Sequence, residues 1–186
     1  YGNSLEMIEA RTLVSPGTLQ HFSTLDRGLL VAYRRTGQAI LSLFDNSGIK
    51  QWERVLSSNR QLIDSSDTYI LVGEDHSRKI HILDLEGNTV HEWLVEGEPV
   101  FCSINNDGRN FVVSELSIDS TSWEVQIELR DHEGKPLFNE IYKSKEVVNV
   151  AWSPLGVVVL AFDLNRDEPG QFLYFYDNYG RILYQK

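Results

Sequence analysis

The sequence predicts an all-β fold of four repeated, four-stranded antiparallel units, and two recurring turns predict it. One turn is Asp-x-x-Gly: Asp45-Asn46-Ser47-Gly48, Asp84-Leu85-Glu86-Gly87, Asp131-His132-Glu133-Gly134 and Asp177-Asn178-Tyr179-Gly180. The other precedes it in each unit: Asp26-Arg27-Gly28, Ser66-Asp67, Asn106-Asp107-Gly108 and Pro154-Leu155-Gly156. Successive Asp residues of the Asp-x-x-Gly turns stand 39, 47 and 46 residues apart. An Asp carboxylate can accept hydrogen bonds from backbone N–H groups just downstream, and Gly tolerates the positive φ of a chain reversal.

A repeat of about 40–50 residues has the length of a four-stranded propeller blade. The expected architecture is therefore a β-propeller or part of a larger propeller. Residues 1–18 form an entry segment, and the units run from about 19–57, 58–96, 97–143 and 144–186. Within a unit the strands are A to D; the upstream turn joins A to B, and Asp-x-x-Gly joins C to D. In the entry segment Leu5 to Ala10 has the composition of one or two helical turns. Val31 marks a strand in the first unit, Ile70-Leu71-Val72 one in the second, Phe111-Val112-Val113 one in the third and Val157-Val158-Val159-Leu160 one in the fourth. Apolar runs of this length suit strands buried on both faces. From Glu124 to Arg130 every second residue is apolar, the period of a half-buried strand. Stacked blades bury a core that none could build alone. With 186 residues and 41% hydrophobic content, that core needs no metal or disulfide.

The net charge of −10 argues against nucleic acid as a partner, since phosphate neutralisation needs clustered Lys and Arg. No apolar run of 18 residues is present, so no segment here inserts in a membrane as a helix. Cys102, the single cysteine, is expected as a small buried hydrophobe in an A strand. One cysteine fits a cytoplasm and equally a bacterial exterior, so the compartment stays open. The chain starts at Tyr1 rather than Met, as a processed or cut chain would. Tyr1-Gly2-Asn3-Ser4-Leu5 resembles Tyr179-Gly180-Arg181-Ile182-Leu183, so the entry segment is expected as a D strand of a preceding or partner blade. An open array of blades exposes sheet edges and invites pairing with a second copy.

Asp45-Asn46-Ser47-Gly48-Ile49-Lys50-Gln51-Trp52 resembles the Asp-x-x-Gly-x-x-x-Trp signature of quinoprotein-like (PQQ-like) β-propeller blades. Phe138 and Tyr184 put an aromatic at the same distance from Gly134 and Gly180. The second unit departs, with His91 at that position and Trp93 two residues on. WD40 blades are a close relative, but their Gly-His and Trp-Asp dipeptides are missing. The resemblance implies the fold. The cofactor and calcium ligands of the quinoprotein enzymes do not map onto these residues, so no cofactor is implied.

The five histidines, His21, His76, His81, His91 and His132, lack metal-binding spacing. No nucleophile elbow and no phosphate-binding loop is present. No catalytic residue and no metal site is therefore assigned. Asp163-Leu164-Asn165-Arg166-Asp167 opens like a calcium loop, but Pro169 intervenes, Gly170 comes late and no Glu fills the twelfth place. It is expected to be a solvated polar loop.

Loop length carries the functional expectation. In a propeller the B–C and D–A connections share one end of the blades. The extra residues of units three and four fall between B and C, at Ser117 to Trp123 and Asp163 to Gly170. Long loops on a rigid scaffold commonly carry function. The candidate binding residues are Arg34, Arg35, His76, Arg78, Trp123, Asp163, Asn165 and Asp167, with Arg60, Glu74, Asp75, Glu98 and Lys145 nearby. Gly48, Gly87, Gly134 and Gly180 are structural. The expectation is a non-enzymatic module that binds a protein partner at this end. The alternatives are a ligand-binding or enzymatic quinoprotein-like propeller, and a structural extracytoplasmic domain of a membrane-anchored bacterial protein.

Overall fold

The computed structural model describes residues 17–57, 61–118, 123–143, 145–163 and 170–185, all of them strand, turn or loop. The first sheet holds β1 (Thr18–Leu25), β2 (Gly28–Arg35), β3 (Gln38–Asp45) and β4 (Lys50–Leu56). The second holds β5 (Gln61–Ser65), β6 (Tyr69–Glu74), β7 (Lys79–Asp84) and β8 (Thr89–Leu94). The third holds β9 (Glu98–Ile104), β10 (Asn110–Ser117), β11 (Trp123–Arg130) and β12 (Pro136–Lys143). The fourth holds β13 (Lys145–Ser153), β14 (Gly156–Asp163), β15 (Gly170–Asp177) and β16 (Ile182–Gln185). Each sheet pairs its strands in chain order, all antiparallel, which is the meander of a propeller blade. Both recurring turns fall where the sequence puts them. The entry segment up to residue 16, including its helical expectation, lies outside the described residues.

The core lies between sheets. Leu30, Ala32, Leu41 and Leu43 of the first blade pack on Ile70, Val72 and Leu83 of the second. Leu71, Ile80 and Ile82 of the second meet Cys102, Ile104 and Val112 of the third. Phe111, Val113, Val125 and Ile127 of the third meet Val157, Val159, Tyr174 and Tyr176 of the fourth. Adjacent residues of a middle strand thus serve different interfaces, which is why these strands read as continuous apolar runs.

The Asp-x-x-Gly turns share one geometry. Asp45 Oδ1 accepts the N–H groups of Ser47 (2.8 Å) and Ile49 (3.0 Å), and its carbonyl accepts the Gly48 N–H (2.8 Å). Asp131 and Asp177 repeat all three bonds; Asp84 Oδ1 accepts from Asn88 at 2.7 Å. The closing glycines sit at φ 77°, 83°, 76° and 80° in chain order, a left-handed conformation that a Cβ disfavours.

A second constraint acts on three of these glycines. A Cβ on Gly87 would lie 2.9 Å from the Trp52 indole, one on Gly134 1.9 Å from the His91 ring and one on Gly180 2.1 Å from Phe138. Each ring stands four residues after the Gly of the preceding blade. His91, which departs from the aromatic pattern in sequence, takes the same seat.

Candidate functional site

The antiparallel meander sends the A–B and C–D turns to one end of the array and the B–C and D–A connections to the other. The first end is a girdle of hydrogen bonds. Asp26 N–H donates to Asp67 Oδ1 and Asp67 N–H to Asn106 Oδ1, each at 3.0 Å, stitching three blades together. Arg27 pairs with Glu86 at 3.0 Å, and Asn46 Nδ2 bonds the Asp26 carbonyl at 3.2 Å. Nearby, Asp64 Oδ2 accepts from Ser103 Oγ and Ile104 N–H, both at 2.8 Å, and Trp152 Nε1 donates to Ser103 Oγ at 2.9 Å. These polar groups are consumed in holding blades in register.

The other end collects the candidates. Arg34 and Arg35 close β2 beside the turn at Thr36 and Gly37, and both are exposed. Arg35 is tied down by Glu53 at 3.0 Å. Hydrogen bonds from Lys50 and then Tyr33 outweigh partial desolvation and hold the Glu53 carboxyl below its usual range. His76 (φ 44°) and Arg78 (φ 56°) lie in the β6–β7 turn in left-handed conformation. Arg78 braces that turn on the D–A connection: its Nη1 donates to the Glu96 carbonyl and its carbonyl accepts the Val95 N–H, both at 2.9 Å. His76 projects, with 84% of its side chain exposed.

Beneath the turn, Glu74 is buried. Ser57 donates to it through its N–H (3.3 Å) and its hydroxyl, Ser77 Oγ stands at 3.2 Å and His81 Nε2 at 3.5 Å. Burial opposes its ionisation, but the bonds from His81 and Ser57 win and hold the carboxyl down to about 2. His81 is itself buried and also meets Glu92 at 3.4 Å, so this group is structural bracing closed to a substrate. Asp75, His76 and Glu98 bring side-chain donor atoms within 4.8 Å of one another. His76 and Glu98 are solvated there, and no enclosed cage surrounds them.

Trp123 is the first residue of β11, paired in register with Ser117, and Asp163 ends β14 opposite Lys145 and Gly170. Both therefore sit at this end by backbone position. Asn165, Asp167 and Arg60 lie outside the described residues. Lys145, at the start of β13, puts its Nζ 5.0 Å from the Tyr142 ring, 5.0 Å from Tyr174 and 5.4 Å from Phe172, a cation held by three aromatic faces. It serves the third–fourth blade seam.

The sequence reading missed a hollow of about 450 Å³ at this same end. Val100, Phe101, Val113, Val125, Val147 and Val148 line it, and Glu115 and Glu146 stand at its rim. These residues come from four strands of two blades, so only strand alternation marked them in sequence. The arrangement offers an apolar floor, an acidic rim and projecting basic groups. It is suited to contact; among the described residues it assembles no nucleophile with a base.

No family model matches the chain, and no curated protein matches it. Solved structures do. The dihydro-heme d1 dehydrogenase NirN, in complex with DHE, matches over 100% of this chain and 40% of its own, with TM-score 0.63 and 18% identity. A protein of unknown function from Bacteroides caccae matches over 90% of this chain and 66% of its own, with TM-score 0.55 and 13% identity. Hsv2p of Kluyveromyces lactis matches over 87% and 50%, with TM-score 0.55 and 13% identity. The chain has an all-β fold of the β-propeller class, four four-stranded antiparallel blades that match parts of longer solved chains. At these identities what is shared is the fold. The chain spans two thirds or less of the length of each of these structures.

Proposed function

We propose that residues 19–186 form one four-blade module, entered through residues 1–18, that binds a protein partner on its B–C and D–A end without catalysing a reaction. The observation that supports this is the asymmetry between the two ends. At the A–B and C–D end, Asp26, Asp67, Asn106 and Arg27 are engaged in blade-to-blade bonds. Toward the opposite end lie the exposed His76 of the second blade, Arg34 and the Glu53-paired Arg35 of the first, and an apolar hollow between the third and fourth. Mixed charge around an apolar centre is the make-up of a protein-contact patch. No helix of the described residues is long and apolar enough to cross a membrane.

The test is site-specific photocrosslinking in the native host. A crosslinking residue at Arg34 or His76 should capture a partner that one at Ser47 or Glu86 does not. Capture from the C–D turns alone would refute the assignment. Adduct formation with a small ligand in place of a protein would favour the quinoprotein-like alternative.

A further inference from the structure

The hollow of about 450 Å³ between the third and fourth blades is shaped by a kink in each of two strand ladders. In β9, Phe101 pairs with Val113 and Pro99 with Ser114, which leaves Val100 without an opposite residue. In β13, Val147 pairs with Ala161 and Asn149 with Leu160, which leaves Val148 out in the same way. Successive side chains of an unbroken strand point to opposite faces. Here Val100 and Phe101 line the same opening, and so do Val147 and Val148. A bulge of this kind re-aims a side chain and is common beside functional sites. Each of the two strands thus turns a pair of adjacent apolar residues on one space.

The lining grades from apolar to acidic. Val113 and Val125 are buried at the bottom, whereas Val148 at the mouth is 45% exposed. Glu115 and Glu146 stand at the rim, one on each blade, and both are exposed. Among the described residues neither carboxylate has an ion pair or a side-chain hydrogen bond. Lys145, next to Glu146 in sequence, sends its Nζ to the Tyr174 hydroxyl and the surrounding rings instead. The volume lies within the roughly 300–1,000 Å³ of ligand pockets and admits a large apolar side chain. Two unneutralised carboxylates over an apolar floor favour a group with an apolar body and a cation on each flank. The chain's net charge of −10 disfavours a second copy as the occupant and draws a basic one.

We infer that the hollow is the anchor pocket for a partner segment that presents an aromatic or large aliphatic side chain between two Lys or Arg residues. The apolar side chain fills the space between Val113, Val125 and the two bulges, and the flanking cations pair with Glu115 and Glu146. This rests on the protein-contact reading of the loop end and gives the chemistry of the partner at the third–fourth blade seam. Arg34 and His76 lie on the first and second blades and so meet other parts of that partner.

Titration of the isotope-labelled chain with capped peptides, read from amide chemical shifts, tests this. The probes are Gly-Lys-Trp-Lys-Gly, Gly-Glu-Trp-Glu-Gly and Gly-Lys-Ser-Lys-Gly. At up to about 5 mM, a range that reads a Kd of about 1 mM, the Lys-Trp-Lys peptide should shift Phe101, Val147 and Val148 saturably. The other two should bind at least about tenfold more weakly. Glu115→Lys with Glu146→Lys should reverse the preference between the Lys and Glu peptides. A Lys-Trp-Lys peptide that leaves these signals unmoved overturns the inference. So does equal binding of the Lys and Glu peptides, or a preference unchanged in the double variant. Both glutamates are exposed, so melting curves should match the parent; if they do not, Glu115→Gln with Glu146→Gln carries the comparison as a lost preference. Photocrosslinking at Arg34 and His76 reads the protein-contact assignment separately. A protein captured there, with every peptide inert, overturns the anchor pocket alone. The expected peptide preference, with capture from the C–D turns alone, refutes the loop-end reading and leaves the hollow as a site for basic–apolar segments.

Discussion

The Trp52 indole lies on Gly87 of the next blade, where a Cβ would stand 2.9 Å from the ring, and its Nε1 donates to the Leu85 carbonyl at 2.8 Å. One contact thus fixes three things: the rotation between blades, the identity of the turn glycine and the direction of the ring. Asp84 shapes the turn, Gly87 leaves room, and Trp52 fills it.

Gly87 and Gly48 separate backbone strain from this contact. Both have positive φ, but among the described residues only Gly87 of the two has a ring against it. Gly48→Ala should cost about 1 kcal/mol, the strain of a left-handed Ala. Gly87→Ala should cost at least about 1 kcal/mol more, because the indole must give way. Urea denaturation of the two variants provides the comparison. Equal losses would show that the ring yields freely.

Trp52→Phe should remove the bond to the Leu85 carbonyl while keeping a ring on Gly87. The expected loss is about 1–2 kcal/mol, against about 3–5 kcal/mol for Trp52→Ala. Equal losses for the two variants would mean that stacking contributes little.

Glu74 sets an acid limit. Its carboxyl is held to about 2, below the ordinary 4.5, so it contributes stability that is fully present above pH 4.5 and is lost as pH falls toward 2. The amount is on the order of 2–3 kcal/mol. Glu74→Gln should be less stable at pH 7 and should lose less between pH 4.5 and 2. Parallel stability–pH curves for the two proteins would contradict the network around Ser57 and His81.

Cys102 is buried, and burial, with the Asp64 carboxylate adding to it, pushes its thiol pKa up. A thiol reagent at pH 8 should leave it unmodified in the native protein and label it fully in urea. Rapid labelling without denaturant would show that the second–third blade seam opens.

Most of the fold was legible because its determinants are local. The Asp carboxylate bonds residues two and four positions on, and the turn glycine shows in the spelling of the chain. The partner of each ring was not legible. Trp52 and Gly87 belong to different units, and the His91 seat is visible only once the blades are stacked, since an imidazole does not announce an aromatic role. The loop end was legible through insertion lengths, which placed Trp123 and Asp163 there. The hollow between Val100 and Val148 was not, because apolar strand residues look alike whether they face a neighbour or an opening. The brace between Arg78 and Glu96 was likewise hidden, since it uses a backbone carbonyl that no side-chain pattern encodes.

The B–C and D–A end is the proposed working surface. Two charge-reversed variants test it against the partner captured by crosslinking: Arg34→Glu with His76→Glu at that end, and Ser47→Arg with Glu86→Arg at the other. Isothermal titration against the captured partner is the measurement. The first variant should keep its melting curve and lose at least about tenfold in affinity, while the second should bind as the parent does. Unchanged binding by the first variant, with loss by the second, would contradict the account.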